Sequence, residues 1–123
     1  MSKTTPMQRT LQIIKSKNLK YCIVEVWNQW AKRRIDLFNI IDILVLDGGF
    51  LGIQVCGTDY ASHKKKIMVD EKENTMAWLN SGGRLEVWGW RQLKIKRGGK
   101  AKKWTPRISD VLIVSGNLCW EER

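Results

Sequence analysis

The sequence has few of the residues from which disulfide frameworks and structural zinc sites are built. Its 123 residues include three cysteines and one histidine, His63. The cysteines, at positions 22, 56 and 119, are widely separated and form no CxxC pair. An odd number of scattered cysteines argues against both kinds of site. We therefore expect reduced thiols and a cytosolic protein.

Long apolar segments are also missing. No apolar run approaches the roughly 20 residues that a membrane-spanning helix needs, and the basic N-terminus is not followed by the apolar core of a signal peptide. The sequence has no Lys-rich amphipathic helix with an aromatic face, which does not favour binding to an anionic membrane surface. We expect no membrane partner.

Acidic residues are scarce. The chain has 12 Asp and Glu against 22 Lys and Arg, which gives a net charge of +10. This excess favours a polyanionic partner, and nucleic acid is the most common one. The length suits one domain, residues 1–123, that is large enough to bury a core.

The best-defined structural signal is a hairpin in the middle of the chain. Residues 40–46 and 50–56 are apolar, rich in branched side chains, and joined by Asp-Gly-Gly at 47–49, which is typical of a hairpin turn. With a three-residue loop, Leu46 faces Phe50 and Asp42 lies opposite Gln54. Side chains alternate along a strand, so these two polar groups share one face with Cys56.

The other face of this hairpin is apolar and must pack against another element; it comprises Ile41, Ile43, Val45, Leu51, Ile53 and Val55.

Asp42, on the first face, requires an explanation, because an unpaired buried charge is costly. One interpretation is that Asp42 caps a strand end or pairs with Arg33 or Arg34. The other is a metal site.

The N-terminal half has one clear helix and one clear strand before the hairpin. Thr5-Pro6 predicts a helix start, and the helix should end at about Lys17. Residues 21–27 predict a strand that contains Glu25. Residues 28–39 form a connection, either a loop or one arm of a wide hairpin.

The C-terminal half predicts a helix followed by strands. The helix should start between Ser62 and Glu71 and end at residues 81–83, Ser-Gly-Gly. Residues 84–94 and 102–107 should form strands around a turn at 97–100. Residues 108–114 are a last strand or a short helix, and the tail from Ser115 should be weakly anchored, with Trp120 able to dock.

The predicted order is helix, three strands, helix and two strands. This order indicates an α/β protein whose apolar strands are covered by helices on both faces. Trp88 and Trp90 share one face of their strand, where they fit the core or a dimer interface better than a base-stacking surface.

This arrangement resembles the PD-(D/E)XK nuclease superfamily, and in particular its small Holliday junction resolvase-like and VRR-NUC-like members, often carried by phages. The matching residues are Ile41-Asp42 and Gln54-Val55-Cys56, with further likeness at residues 33–38 and 78–87. The likeness covers most of residues 5–110. It implies a restriction-endonuclease-like αβββαβ core, a central mixed sheet flanked by helices, to which this chain adds a basic C-terminal β-hairpin. It also implies a setting in the cytosol of a bacterium or a phage-infected host.

The chain departs from the family pattern at two positions of the third strand. Gln54 stands where the family has Glu, and Cys56 stands where it has Lys. A glutamine retains an oxygen ligand but loses a charge. The following segment can supply a replacement lysine, and Lys66 and Lys64 are the candidates. The alternative is that residues 64–66 are a solvated helix start.

The resemblance implies hydrolysis of DNA assisted by Mg²⁺ or Mn²⁺. The metal would be held by Asp42, the side-chain oxygen of Gln54 and the backbone carbonyl of Val55. Glu25 or Asp36 would add a ligand or hold the water, although Glu25 also fits an ion pair with a neighbouring Lys. His63 could serve as a general acid but fits a surface position better, and Cys56 is more typical of a core filler than of a nucleophile.

Basic residues at three places are expected to contact DNA phosphates. They are Arg33, Arg34, Lys65, Lys94, Lys96, Arg97, Lys100, Lys102 and Lys103. The alternative for the C-terminal group is a charged hairpin that keeps a sheet edge soluble. By analogy with small resolvases, we expect a homodimer acting on branched or structured DNA.

Two other functions remain open. The missing Glu and Lys favour a catalytically silent nucleic-acid-binding protein on the same scaffold. A protein-interaction or assembly factor with incidental charge would show no DNA affinity at physiological salt.

Overall fold

The computed structural model describes residues 4–123. Its helices are α1 (Pro6–Ser16), α2 (Tyr60–Lys65) and α3 (Lys72–Asn80), and a π-helical turn (Lys66–Asp70) joins the last two. Its strands are β1 (Lys20–Ile23), β2 (Val26–Asn28), β3 (Arg33–Ile35), β4 (Ile43–Leu46), β5 (Phe50–Cys56), β6 (Arg84–Lys94), β7 (Lys102–Val114) and β8 (Asn117–Glu122).

The protein has an α/β architecture built on one mixed sheet. Six strands are ordered β1-β4-β5-β6-β7-β8, and β2 and β3 form a separate two-stranded ribbon. The pair β5–β6 is parallel, and the other neighbouring pairs are antiparallel. A parallel pair needs a crossover connection, and here α2, the π-helical turn and α3 provide it.

The first helix begins as its sequence predicts. Thr5 is the N-cap, and its side chain and that of Gln8 form a reciprocal capping box. Pro6 occupies the first turn, where its missing N–H leaves no intrahelical bond unmade. The helix ends at Ser16, within one residue of the predicted Lys17.

The central hairpin has the predicted register. Leu46 pairs with Phe50 and Ile43 with Ile53, around a three-residue turn in which Gly48 takes a φ of +66°. Strand β4 begins at Ile43, so Asp42 lies just before the strand rather than inside it. The Asp42 N–H donates at 2.9 Å to the carbonyl of Ile53, the residue that pairs with Ile43, so the regular ladder ends at Ile43 and the contact of Asp42 with Gln54 is made by their side chains.

Each face of the sheet is covered by helix, as predicted. On one face, Ile14 of α1 packs in a core with Ile43, Val45, Leu51, Ile53, Trp88 and Trp90. On the other face, the core contains Ile40, Ile41, Cys56, Ile67, Leu85, Val87 and Val111, with Trp78 and Leu79 of α3 against it. Both tryptophans of β6 are therefore core residues.

Ile41 was predicted on the wrong face. The strand alternation stops at Asp42, and Ile41 instead forms an isolated bridge with Leu37. Its side chain fills the space beside Gly52, where an added Cβ would lie 2.7 Å from Ile41 Cδ1. Ile41 consequently belongs to the core under α3.

The predicted strand at residues 21–27 is two strands. Pairing of β1 with β4 ends at Ile23, and the Val24 N–H then donates to the Asp42 carbonyl at 2.8 Å. Beyond this bond the chain leaves the sheet and returns as the ribbon β2–β3. The connection at 28–39 is thus partly a hairpin arm.

The helical segment starts earlier than predicted, at Tyr60 rather than between Ser62 and Glu71. Strand β7 runs without a break to Val114, so residues 108–114 do not form a separate helix.

The prediction of a weakly anchored tail is also wrong. After a turn at Ser115 and Gly116, both with positive φ, β8 pairs with β7. Trp120 does dock, and its Nε1 donates to the Tyr60 hydroxyl at 3.0 Å. Across residues 4–123, no helix is long and apolar enough to cross a membrane.

Candidate metal centre

Three carboxylates meet where the ribbon joins the sheet. Glu25 precedes β2, Asp36 follows β3, and Asp42 precedes β4. One side-chain oxygen from each lies within 4.8 Å of the others. We call Glu25, Asp36 and Asp42 the acidic cluster. The chain leaves the sheet at residues 24–41 and then returns to it, which brings Glu25 and Asp36 beside Asp42.

Asp42 is the most deeply placed member, with 4 % of its surface exposed. Its Oδ2 accepts two hydrogen bonds, from Gln54 Nε2 at 2.5 Å and from the Val55 backbone N–H at 2.8 Å. Both donors come from β5, the strand that pairs with β4. The alternative in which Asp42 pairs with Arg33 or Arg34 does not match the structure, since Asp42 makes no ion pair within residues 4–123.

Asp36 is the member that contacts a lysine. Lys66 Nζ lies 2.9 Å from Asp36 Oδ2 and 3.5 Å from Gln54 Oε1. Gln54 Nε2 also reaches Asp36 Oδ2 at 3.3 Å. Lys66 opens the π-helical turn, a helical irregularity that is frequent at functional sites. Of the two lysines proposed from the sequence, Lys66 is the one beside the acidic cluster.

Glu25 lies in the cluster and in an ion pair at the same time. Arg34 Nη1 lies 2.8 Å from Glu25 Oε1. The partner predicted from the sequence was a lysine; the observed partner is the arginine across the ribbon. The Arg34 side chain is 67 % exposed, so the pair is screened by solvent and holds Glu25 weakly.

The pKa values of the two aspartates are pushed apart. Burial, then the hydrogen bond with Asp36 and the negative charge of that residue, raise the pKa of Asp42 to about 8. Burial acts to raise the pKa of Asp36 as well, but the hydrogen bond with Asp42 and the ammonium of Lys66 outweigh it and lower that pKa. Two carboxylates this close share a proton when nothing else neutralises them.

The donor set fits a hard divalent cation. Mg²⁺ is bound by one or two carboxylates plus water and substrate phosphate, and it prefers oxygen. The acidic cluster supplies three carboxylates, and the raised pKa of Asp42 reflects its burial first and the neighbouring Asp36 second. Both N–H donors to Asp42 bond its Oδ2 rather than its Oδ1.

Gln54 and Val55 contact the cluster differently from the sequence prediction. Gln54 turns its amide nitrogen towards Asp36 and Asp42 and its oxygen towards Lys66. A metal-ligand role for Gln54 requires a 180° rotation of its carboxamide. The contact that Val55 makes with Asp42 is through its N–H, not its carbonyl.

Other predicted site residues lie away from the acidic cluster. Lys64 Nζ stands 5.3 Å from the centre of the Trp120 ring, and Lys65 is exposed. His63 Nε2 is 2.9 Å from Asp59 Oδ2. Cys56 is a buried core residue, and burial raises the pKa of its thiol to about 12, so it is no nucleophile at neutral pH.

The predicted DNA-contacting residues are on the surface. We call the exposed basic residues at the end of the β6–β7 hairpin the basic tip; they are Lys94, Lys96, Arg97, Lys100, Lys102 and Lys103. Arg33 and Arg34 are exposed on the ribbon.

The contacts of Tyr60, which position the helical segment, were not predicted from the sequence. Tyr60, which opens α2, is hydrogen-bonded to Ser109 of β7 and accepts the bond from Trp120. Gly89 of β6 makes room for its ring, since a Cβ there would lie 2.5 Å from Tyr60 Cδ2. These contacts fix the helical segment that continues to Lys66. No spacing rule links residues so far apart in sequence.

Compared with known protein-family models, curated proteins and solved structures, the chain matches none. Function is therefore inferred from the geometry of the site.

Proposed function

We propose that this protein is a divalent-metal-dependent DNA endonuclease with a restriction-endonuclease-like core. The observation that supports this most is the convergence of the acidic cluster with Lys66 around the start of β4 and the middle of β5. The order α1-β1-β4-β5-helix-β6, with β5 and β6 parallel, is consistent with an αβββαβ core.

In this proposal Asp42, Asp36 and Glu25 hold Mg²⁺ or Mn²⁺. When bound, the metal would supply Lewis-acid polarisation of a phosphoryl oxygen and a lower pKa for an attacking water. Lys66 would place its ammonium against the charge that develops on the phosphate. It would replace the lysine that the family has at the position of Cys56, and it would reach the acidic cluster from the π-helical turn instead of from β5.

The substrate that fits best is branched or structured DNA. The net charge of +10 and the basic tip favour attraction to phosphates. A symmetric dimer would suit a substrate with two equivalent strands. The three free cysteines, one of them exposed, fit a reducing compartment, and we place the protein in the cytosol of a bacterium or a phage-infected host.

A second candidate function is nucleic-acid binding without catalysis. The observation that favours it is the amide nitrogen of Gln54, which donates to both Asp36 and Asp42. Those bonds offset part of the negative charge that a metal would otherwise neutralise. This candidate predicts DNA binding that is sensitive to salt and indifferent to divalent ions.

Cleavage and metal binding distinguish the two. Branched and flap DNA are incubated with the full-length protein and Mg²⁺ or Mn²⁺, and the same ions are titrated calorimetrically without DNA. The nuclease predicts cleavage and a heat of binding that both disappear in Asp42→Asn. The matched control is Asp47→Asn, since the Asp47 side chain is 48 % exposed at the β4–β5 turn.

Two outcomes would count against the proposed nuclease. Cleavage that persists in Asp42→Asn contradicts the proposed mechanism. Salt-sensitive DNA binding by the parent protein, without cleavage and without a heat of metal binding, supports the silent binding protein instead.

A further inference from the structure

The ribbon formed by β2 and β3, residues 26–35, exposes several large apolar side chains. It stands outside the six-stranded sheet. Trp27 is 58 % exposed, Val26 65 % and Trp30 90 %. A cluster of exposed apolar groups on a surface marks an interaction site, and tryptophan loses the most by facing water.

The fold holds Trp30 outward. The side-chain oxygen of Asn28 accepts hydrogen bonds from the backbone N–H groups of Trp30, at 2.9 Å, and Ala31, at 2.8 Å. This bonding is typical of an Asx turn, and it fixes the backbone on both sides of the indole. Trp30 is therefore presented at the tip of an ordered turn.

The ribbon rises directly from the acidic cluster. Glu25 precedes β2, Asp36 follows β3, and the pair Val26–Ile35 closes the base of the ribbon. A groove of about 320 Å³ is lined by Trp27, Ile35, Asp36 and Phe38 among others. At about 3.3 Å per residue, the tip lies roughly 10–15 Å from the cluster, about three to four stacked nucleotides.

The charge of the ribbon identifies the chemistry of its partner. Residues 26–35 contain Lys32, Arg33 and Arg34 and no Asp or Glu. Arg34 pairs with Trp27 across the ribbon. Aromatic rings beside cationic groups are the combination that binds single-stranded nucleic acid, by stacking on bases and by attraction to phosphates. In a duplex the base faces are already stacked and are closed to such rings.

We propose that the ribbon binds unpaired nucleotides beside the acidic cluster, with Trp30 and Trp27 stacked on bases and the basic residues 32–34 on phosphates. The substrate class of the enzyme is then DNA with a single-stranded segment entering the site, such as a flap or an opened junction. The orientation relative to a scissile phosphate rests on the proposed function; the binding itself does not.

The test is binding without divalent ions. Fluorescence anisotropy compares a labelled single-stranded oligonucleotide with a blunt duplex, both in EDTA, on the full-length protein. Stacking of one base predicts that Trp30→Ala binds the single strand about tenfold more weakly, and that Trp30→Phe retains most of the affinity. Affinity for the duplex should change less than about twofold, since the substitution leaves every charge in place.

Phe50→Ala is the matched control, because Phe50 is 60 % exposed at the far end of the central hairpin. It should bind both DNAs as the parent does. Unchanged single-strand affinity in Trp30→Ala overturns the proposal. So does an equal loss for strand and duplex, and so does a change from dimer to monomer on sedimentation, which would assign the ribbon to contact between copies of the chain.

The binding test of the ribbon and the cleavage test of the proposed function can fail independently of each other. Selective loss in Trp30→Ala together with cleavage that survives Asp42→Asn would retain the ribbon and reject the metal mechanism. Loss of cleavage in Asp42→Asn with no effect of Trp30→Ala would do the reverse.

Discussion

Stability should fall as pH rises from about 4 to 8 when no metal is present. The pKa of Asp42 is raised from 3.8 to about 8 in the folded protein. Between these values the folded state keeps a proton that the unfolded state has released, so the free energy of unfolding decreases with pH. The groups that face Asp42 are Asp36, Glu25 and the neutral amide of Gln54.

The size of this effect follows from linkage. A pKa raised from 3.8 to about 8 sets an upper limit of about 6 kcal/mol on the loss, since each pKa unit is worth about 1.4 kcal/mol. The lowered pKa of Asp36 has the opposite sign. The stability that ionised Asp36 contributes is present at pH values above the pKa of Asp36 in the unfolded state. It is lost only as pH falls through the lower pKa of the folded state, which is below the pH range over which Asp42 titrates.

The assay is denaturant unfolding at a series of pH values in EDTA at constant ionic strength. Asp42→Asn removes the titrating group while keeping its size, so the difference between the variant and the parent isolates Asp42 from other groups. The variant should lose most of the slope and exceed the parent in stability at pH 8. Asp47→Asn should keep the parent slope. A parent protein that gains stability from pH 5 to 8, or an Asp42→Asn variant with the same slope as the parent, contradicts this prediction.

Three further outcomes are expected. Lys66→Met should lower cleavage by about 10²-fold or more with DNA affinity nearly unchanged, whereas Lys64→Met should cleave normally; equal rates for both variants would contradict the role of Lys66. Gly52→Ala should destabilise the protein by about 1–3 kcal/mol, because its Cβ would meet buried Ile41 at 2.7 Å, whereas Gly49→Ala has open space; calorimetric melting compares them, and equal melting temperatures would be the contrary result. Cys56 should resist a thiol reagent until the protein unfolds, because its thiol is buried with a pKa of about 12; rapid modification of Cys56 in the native state, located by mass spectrometry, would contradict this.

The part of the site that depends on local pairing is predictable from the sequence. Asp-Gly-Gly between two branched runs sets a three-residue turn, and alternation then places Asp42 opposite Gln54. The two side chains do meet through a hydrogen bond, although the regular pairing of β4 with β5 ends at Ile43 and Ile53. The start of α1 at Thr5-Pro6 and the end of α3 before its glycines are predictable for the same reason, since the signals lie within a few residues.

The remainder depends on contacts between distant residues. The chain leaves the sheet after Val24, whose N–H still bonds the Asp42 carbonyl, and no local pattern marks that break. Ile41 packs under α3 because Gly52 leaves room for it. Lys66, rather than Lys64, faces the acidic cluster because the contacts of Tyr60 fix the rotation of the helical segment about its axis. Strand β8 forms because it pairs with the edge of β7.

The most direct test of metal binding by the acidic cluster is a crystal structure of the protein grown with Mn²⁺, with data recorded at a wavelength where manganese scatters anomalously. We expect one anomalous peak bound by oxygens of Asp42 and Asp36, with Glu25 bound directly or through water, and no such peak in crystals of Asp42→Asn. A cluster that stays empty at saturating Mn²⁺, with Lys66 still on Asp36 and Gln54 still bonded to Asp42, would contradict it.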